Sequence, residues 1–191
     1  MRRFAPIALL LLVASSAFAA APKPGDAAPP LAPRDIKGRA LAVPAPGHLM
    51  LLSFASRSTA EAAGKITRAV RVEHPELEIL SFIDLSRFPG FTHGVIEGQI
   101  MERHEATLNA TRAAFARAGK TAPDDLDARI HIIPDFDATS FKAYGASDTG
   151  NQAAIALIGA DGLVKAIFAR TPSLAEVRAA VEEGIGREPP R

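Results

Sequence analysis

Residues 48–73 read HLMLLSFASRSTAEAAGKITRAVRVE, and the spacing of apolar side chains changes within them. The run 49–54 is apolar and short, as is typical of a buried strand. From residue 58 onward, apolar side chains recur every three or four residues, at Ala62, Ile66, Ala69 and Val70, which predicts a helix with these residues on its buried face. A strand that runs into a helix points unpaired backbone N–H groups and the positive end of the helix dipole into a crevice. Many α/β proteins keep their binding or catalytic site in such a crevice.

The first residues of this helix form the candidate binding site. The guanidinium of Arg57, the hydroxyls of Ser56, Ser58 and Thr59 and the open backbone N–H groups together favour an anion, such as a carboxylate or a phosphate-like group. Ser58 also has a simpler role, because Ser58 and Glu61 have the spacing of a helix capping box. Ligand binding and local capping are therefore both open for this segment.

Arg57 has a simpler role of its own. It could pair with Asp84 or Asp135, which follow the neighbouring predicted strands, in a partly exposed ion pair worth ~0–1 kcal/mol. Asp135 and Asp137 in turn have the position to cap a short helix. An unpaired Arg57 would favour ligand binding over the internal ion pair.

No catalytic or metal site is predicted. A Ser-His-Asp set can be drawn from Ser58, His93 or His131, and Asp84, but the sequence has no nucleophile-elbow signature. The five histidines lack the i, i+4 pair of a helical zinc motif. We therefore expect no catalytic residue, no bound metal and no cofactor.

The composition limits the function further. An apolar share of 48% and a charged share of 23% in 191 residues are those of a soluble globular protein. The formal charge of +1, with no block of Lys and Arg, argues against nucleic-acid binding. The absence of cysteine excludes a disulfide framework, a CxxC redox pair and a thiolate metal site.

The first 21 residues resemble a secretory signal. Arg2 and Arg3 precede a short apolar core, and residues 17–19 (AFA) match a small-x-small cleavage site. We expect export to the periplasm of a bacterium, with no stable membrane insertion after the signal is removed.

The rest of the chain predicts an α/β domain. The Pro-rich segment 22–46 is expected to be an extended arm, residues 47–186 the domain, 87–123 an insertion within it, and 187–191 a tail. The predicted elements follow the order β-α-β, inserted helix, β, short helix, β-hairpin and helix, with the inserted helix at residues 95–120. The parallel crossovers imply a sheet covered on both faces.

Three segments in this order resemble the thioredoxin-like superfamily, in its redoxin and peroxiredoxin branch. They are residues 24–29 (PGDAAP), 135–145 (DFDATSFKAYG) and 155–164 (IALIGADGLV). The resemblance implies a thioredoxin-like fold, in which a central mixed sheet is flanked by helices. The N-terminal arm and the inserted helix are added to that core.

The chain departs from this family at its redox site. The positions of the family's reactive cysteines fall among residues 58–62 (STAEA), and the proline before the hairpin is replaced by residues 152–154 (QAA). A hydroxyl cannot replace a thiolate in disulfide exchange or peroxide reduction. These features resemble the cysteine-free periplasmic YtfJ-type group.

The sequence thus predicts a non-redox binding or interaction module that uses the crevice at residues 56–59. Its partner would be an envelope protein or a small anionic ligand. An enzyme of non-thiol chemistry at the same crevice is one alternative. A chaperone-like envelope protein, using exposed apolar side chains such as Phe88 and Phe91, is another.

Overall fold

A computed structural model of the chain describes residues 20–147 and 151–186. These residues form one five-stranded sheet and four α-helices. In chain order the elements are β1 (Met50–Ala55), α1 (Ala60–Glu73), β2 (Glu78–Asp84), α2 (His93–Arg117), β3 (Ile130–Asp135), α3 (Thr139–Ala143), β4 (Ala154–Ile158), β5 (Val164–Phe168) and α4 (Leu174–Gly184). The predicted tail and all but the last two positions of the predicted signal lie outside the described residues.

The sheet has the strand order β3-β2-β1-β4-β5. Strands β1, β2 and β3 are parallel, whereas β4 is antiparallel to β1 and β5 is antiparallel to β4. The predicted mixed sheet is therefore confirmed. Every residue of β1 is buried, because this strand lies at the centre of the sheet and is covered on both faces.

Alternate residues of β1 enter two different layers of the core. Met50, Leu52 and Phe54 pack with α3 and with the N-terminal arm, and the ring of Phe54 stacks on that of Phe82 at 5.1 Å between centroids. Leu51 faces the opposite way and packs with α1 and α4. Helix α2 covers the β3 side of that second face. Successive side chains of a strand point to opposite faces of the sheet. The helices α1, α2 and α4 therefore all lie on the face to which Leu51 points.

The N-terminal arm lies along both outer strands. Near its start, Gly25 N–H donates to Val164 O of β5 at 2.9 Å, and Val164 N–H donates to Asp26 O at 2.9 Å. Farther on, Ile36 N–H donates to Ile132 O of β3 at 2.8 Å. Isolated antiparallel bridges also connect residues 31 with 43 and 34 with 40, on either side of Gly38. The division of the chain into arm, domain and insertion stays a prediction.

Three local predictions need correction. Ser58 does not cap α1: the N-cap residue is Thr59, and its side chain makes no capping hydrogen bond. The buried face of α1 includes Ala63, whereas Ala62 is exposed. Phe88 is half-buried against the α2 cluster, so only Phe91 of the predicted apolar pair is exposed. Within the described ranges, no helix combines the length and the apolar character needed to cross a membrane.

Candidate functional site

The turn between β1 and α1 brings the predicted site residues together. Thr59 Oγ1 accepts a hydrogen bond from the Ser56 backbone N–H at 2.9 Å and lies 3.1 Å from Ser56 Oγ. Ser56 Oγ also shares a hydrogen bond with Ser58 Oγ at 2.9 Å. The Ser56 hydroxyl thus bonds the other two hydroxyls, and the Thr59 hydroxyl also bonds the backbone of the turn. This explains why neither Ser58 nor Thr59 caps the helix with its side chain.

Arg57 extends from this turn into solvent. Among the described residues its side chain has no hydrogen bond and no ion pair, so the predicted pair with Asp84 or Asp135 is absent. Arg57 lines the rim of a small hollow of about 60 Å³ between the start of α1 and the start of α2. Ile83, Leu85, Phe88, Ile96 and Ile100 make most of the hollow apolar, and Arg103 adds a second guanidinium.

The two acids considered for Arg57 satisfy local backbone groups instead. Asp84 accepts from the Ser86 backbone N–H at 2.9 Å, and Asp135 accepts from the Ser140 N–H of α3 at 2.9 Å. Burial, together with the nearby Asp137, raises the pKa of Asp135. Asp137 accepts from the Thr139 N–H at 2.9 Å, so Asp135 and Asp137 both bond N–H groups at the start of α3, as predicted, although the N-cap residue itself is Ala138.

No Ser-His-Asp arrangement forms in the part of the chain that the structure describes. His93 stacks on Phe136 at 3.8 Å between ring centroids and lies 3.2 Å from Phe88 O. His131 Nδ1 donates to Asp35 Oδ2 at 3.1 Å. No histidine is a hydrogen-bond partner of Ser58 there, so this hydroxyl has no general base beside it.

One cluster has side chains of the kind that bind metals. Ligand atoms of His104, Glu105 and Asp127 lie within 4.8 Å of one another. However, the Lys37 ammonium lies 2.6 Å from Asp127 Oδ1 and 3.8 Å from Glu105 Oε1, where a cation would otherwise lie. The cluster is explained as an ion-pair network between the arm and α2.

A cavity on the α1–α2 face of the sheet was not predicted. It has a volume of about 390 Å³ and lies between the two helices and strands β1, β2 and β3. Arg71 lines it and is only 4% exposed, yet Nη1 of its guanidinium is buried with no hydrogen-bond partner in residues 20–147 and 151–186. Arg68 also lines the cavity, and its Nε is likewise buried without a partner.

A signal for Arg71 was present in the sequence. The buried face of α1 consists of Ala63, Ile66, Thr67, Val70, Arg71 and Val72. Counting from Ala63, the residues at i+3, i+4, i+7 and i+8 form the usual apolar stripe of a helix, and Arg71 occupies the last of these positions. An arginine on the buried face of a helix indicates that its charge is neutralised, either by an ion pair within the protein or by a bound ligand.

Known protein structures resemble this one in fold. The thiol:disulfide interchange protein DsbE from Chlorobium tepidum superposes with a TM-score of 0.54 at 13% identity, over 86% of this chain and 96% of that one. A peroxiredoxin-like protein from Aquifex aeolicus superposes with a TM-score of 0.54 at 13% identity, over 87% of this chain and 90% of that one. The exposed lipoprotein thioredoxin Etrx1 from Streptococcus pneumoniae gives 0.51 at 11% identity, over 81% and 99%.

The chain therefore has the thioredoxin-like fold, as its resemblance to the redoxin branch predicted. No family model matches the sequence, and no curated protein matches it either. The likeness to the YtfJ-type group stays a prediction. At identities this low the structural likeness defines the fold alone, so the function has to be argued from the site.

Proposed function

We propose that this protein is a periplasmic binding module with a thioredoxin-like fold and without thiol redox chemistry. Its binding surface is the junction of β1 and α1 at residues 56–59. The observation that carries the proposal is Arg57, an exposed guanidinium with no counter-charge among the described residues. It stands directly before residues 58–62, where the family resemblance places the redox cysteines.

The lack of redox activity follows from the chemistry of sulfur. Disulfide exchange and peroxide reduction both need a nucleophilic thiolate. The 191 residues include no cysteine, and the hydroxyls of Ser56, Ser58 and Thr59 have no base to ionise them. We expect insulin reduction and peroxide consumption by the purified protein to equal the buffer blank. Robust turnover in either assay would end the non-redox proposal.

The junction offers a partner two kinds of contact. Arg57 provides five N–H donors in a planar fork, which suits a carboxylate or a phosphate-like group. The apolar hollow beside it accommodates a small side chain, for which about 60 Å³ is available. A protein partner that presents an acidic group next to an aliphatic one would satisfy both contacts.

Cross-linking in the native envelope, followed by pull-down, tests the proposal. The Arg57→Ala variant is compared with Arg87→Ala, which removes another exposed arginine with no side-chain bond in the described structure. We expect Arg57→Ala to lose a partner that both the wild type and Arg87→Ala retain. Recovery of the same partners by all three proteins would contradict binding at the junction.

Export is supported by the signal-like segment and by the use of this fold in an exposed lipoprotein thioredoxin. We expect the protein in a periplasmic extract to begin at residue 20 or shortly after it, as read by N-terminal sequencing. A cytoplasmic protein that retains residues 1–19 would contradict export.

Exposed apolar side chains favour a second candidate, a chaperone-like role. Phe91 is 89% exposed and lies in a short 3-10 turn just before α2, and Val95 is 67% exposed and lies in the first turn of α2. Apolar surface of this kind can hold the unfolded segments of other proteins. The test is suppression of light scattering by a heat-denatured client protein. Phe91→Ser should abolish the suppression if this role holds, and a wild type without suppression would rule it out.

A further inference from the structure

The cavity between α1 and α2 exists because small side chains line both helices. Helix α1 contributes Ala60, Ala63 and Gly64, and α2 contributes Ala106 and Ala110. The sheet beneath presents Ser53 and Ser81, which are directly paired across β1 and β2. The resulting space of about 390 Å³ is typical of small-molecule pockets, which span ~300–1,000 Å³.

The cavity reaches from the surface into the interior. Glu61, Arg103 and Ala106 line it and are exposed, so they mark its opening. Ile79 and Ile132 of the sheet line it as well and are buried. A small solute can therefore enter from solvent and lie against the sheet.

The charges around the cavity are unbalanced. Three arginines, at positions 68, 71 and 103, line it, and none of them has an ion pair among the described residues. The single acid in the lining is Glu61, whose Oε1 already lies 2.9 Å from Lys65 Nζ. Glu78 attracts Arg71 electrostatically but is too far away to bond it. The described side chains that line the cavity therefore carry a net positive charge.

We propose that this cavity binds a small organic carboxylate with an apolar body, and that the Arg71 guanidinium holds the carboxylate. A buried guanidinium without a partner loses hydration that a bound carboxylate would replace by charge-assisted hydrogen bonds. Aliphatic and aromatic side chains, including Ile79, Phe82 and Ile132, make the sheet side of the cavity apolar. The cavity shares Ala60, Ile83 and Arg103 with the hollow beside the junction, but Arg71 lines only the cavity and Arg57 only the hollow. The proposed carboxylate site therefore does not depend on binding at residues 56–59.

The shape of the site favours a carboxylate over a phosphate. Phosphate sites usually gather several backbone N–H groups at the first turn of a helix. Arg68 and Arg71 instead lie in the third turn of α1, where the backbone N–H groups are bonded within the helix. The donors that remain are side chains, above all the two guanidinium groups, and a singly charged carboxylate needs no more than these.

Titration with hexanoate and benzoate tests the proposal, with hexan-1-ol, benzyl alcohol and inorganic phosphate as comparison probes. Binding to the full mature protein is followed by calorimetry and by amide chemical shifts. We expect the two carboxylates to bind, with shifts concentrated in α1 and α2. Each neutral alcohol should bind at least about tenfold more weakly, because it lacks the charge that pairs with Arg71.

Variants show whether the site is this cavity. Arg71→Met should weaken hexanoate binding at least about tenfold, whereas Arg112→Met, which removes an exposed arginine of α2 outside the cavity, should leave it unchanged. Ala106→Phe at the opening should block binding without any change in the buried core, which covers the case that Arg71→Met fails to fold. The proposal is overturned if neither carboxylate binds, if the alcohols or phosphate bind equally well, or if Arg71→Met and Ala106→Phe both bind hexanoate normally.

Discussion

Arg71 combines a full charge with almost complete burial. Burial lowers its pKa to about 10, because an apolar environment disfavours the charged form, and the neighbouring Arg129 adds repulsion. Arg71 is still protonated at neutral pH, so the folded chain holds a buried cation that has no bonded counter-ion. Such a group reduces stability unless something binds it.

In the absence of ligand, Arg71→Met should therefore stabilise the protein. A methionine has a similar length and needs no hydration, so we expect the free energy of unfolding to rise by about 1 kcal/mol or more. Urea titration measures the change. The surface variant Arg112→Met should change stability by less than about 0.5 kcal/mol. A clear loss of stability in Arg71→Met would show that the charge is already compensated in the free protein.

At the scale of elements, the bounds of α2 were predictable from the sequence and the cap of α1 was not. Helix α2 was expected at residues 95–120 and occupies His93–Arg117, because a long apolar stripe fixes a helix to within a turn. Whether a serine or threonine caps a helix depends on the orientation of its hydroxyl group. At α1 the Thr59 hydroxyl bonds Ser56 rather than the first turn, whereas at α4 Ser173 and Glu176 form a complete capping box.

Two serine variants separate a real cap from an apparent one. Ser173→Ala should lower the free energy of unfolding by about 1 kcal/mol, because it leaves the Glu176 backbone N–H without its acceptor. Ser58→Ala should cost less than about 0.5 kcal/mol, since Ser58 is exposed and bonds only Ser56 Oγ. Chemical denaturation of both variants measures the difference. Equal losses would mean that Ser58 caps α1 in solution.

At the scale of the whole molecule, the order of elements fixed the topology. A β-α-β unit followed by a hairpin leaves few ways to build a sheet, since parallel crossovers are almost always right-handed. The cavity was not predictable in this way, because it arises from small residues on two helices that are far apart in sequence. The same holds for the contact between His131 and Asp35, which are 96 residues apart.

That contact holds the arm to β3 and makes stability depend on pH. Burial lowers the pKa of His131, and its hydrogen bond with Asp35 offsets this only in part. In the unfolded chain His131 takes up a proton at about pH 6.5, whereas in the folded chain it is still neutral at that pH. Burial alone would raise the pKa of Asp35, but hydrogen bonds from His131 and Arg39 together lower it. Both groups therefore contribute stability that acid removes.

The free energy of unfolding should be highest above about pH 6.5 and should decrease as the pH falls below that value. Denaturation series at pH 8, 7, 6 and 5 measure the slope. In His131→Gln the free energy of unfolding should change less between pH 6.5 and 5 than in the wild type. The control variant His48→Gln, which alters an exposed histidine, should show the same slope as the wild type. A steeper dependence of the free energy of unfolding on pH in His131→Gln would show that folding raises the pKa of His131 and does not lower it.

The arm that bonds to both β3 and β5 has a consequence for self-association. Outer strands with free N–H and C=O groups can recruit the same strand from another molecule and start a fibre. Because residues 25–36 bond to β5 at one margin of the sheet and to β3 at the other, a single covalent segment protects both margins. A protease that cut between these two contacts would separate the part of the arm at β5 from the rest of the chain. Loss of that part would expose β5, so the damaged protein would be prone to polymerise while its core stayed folded.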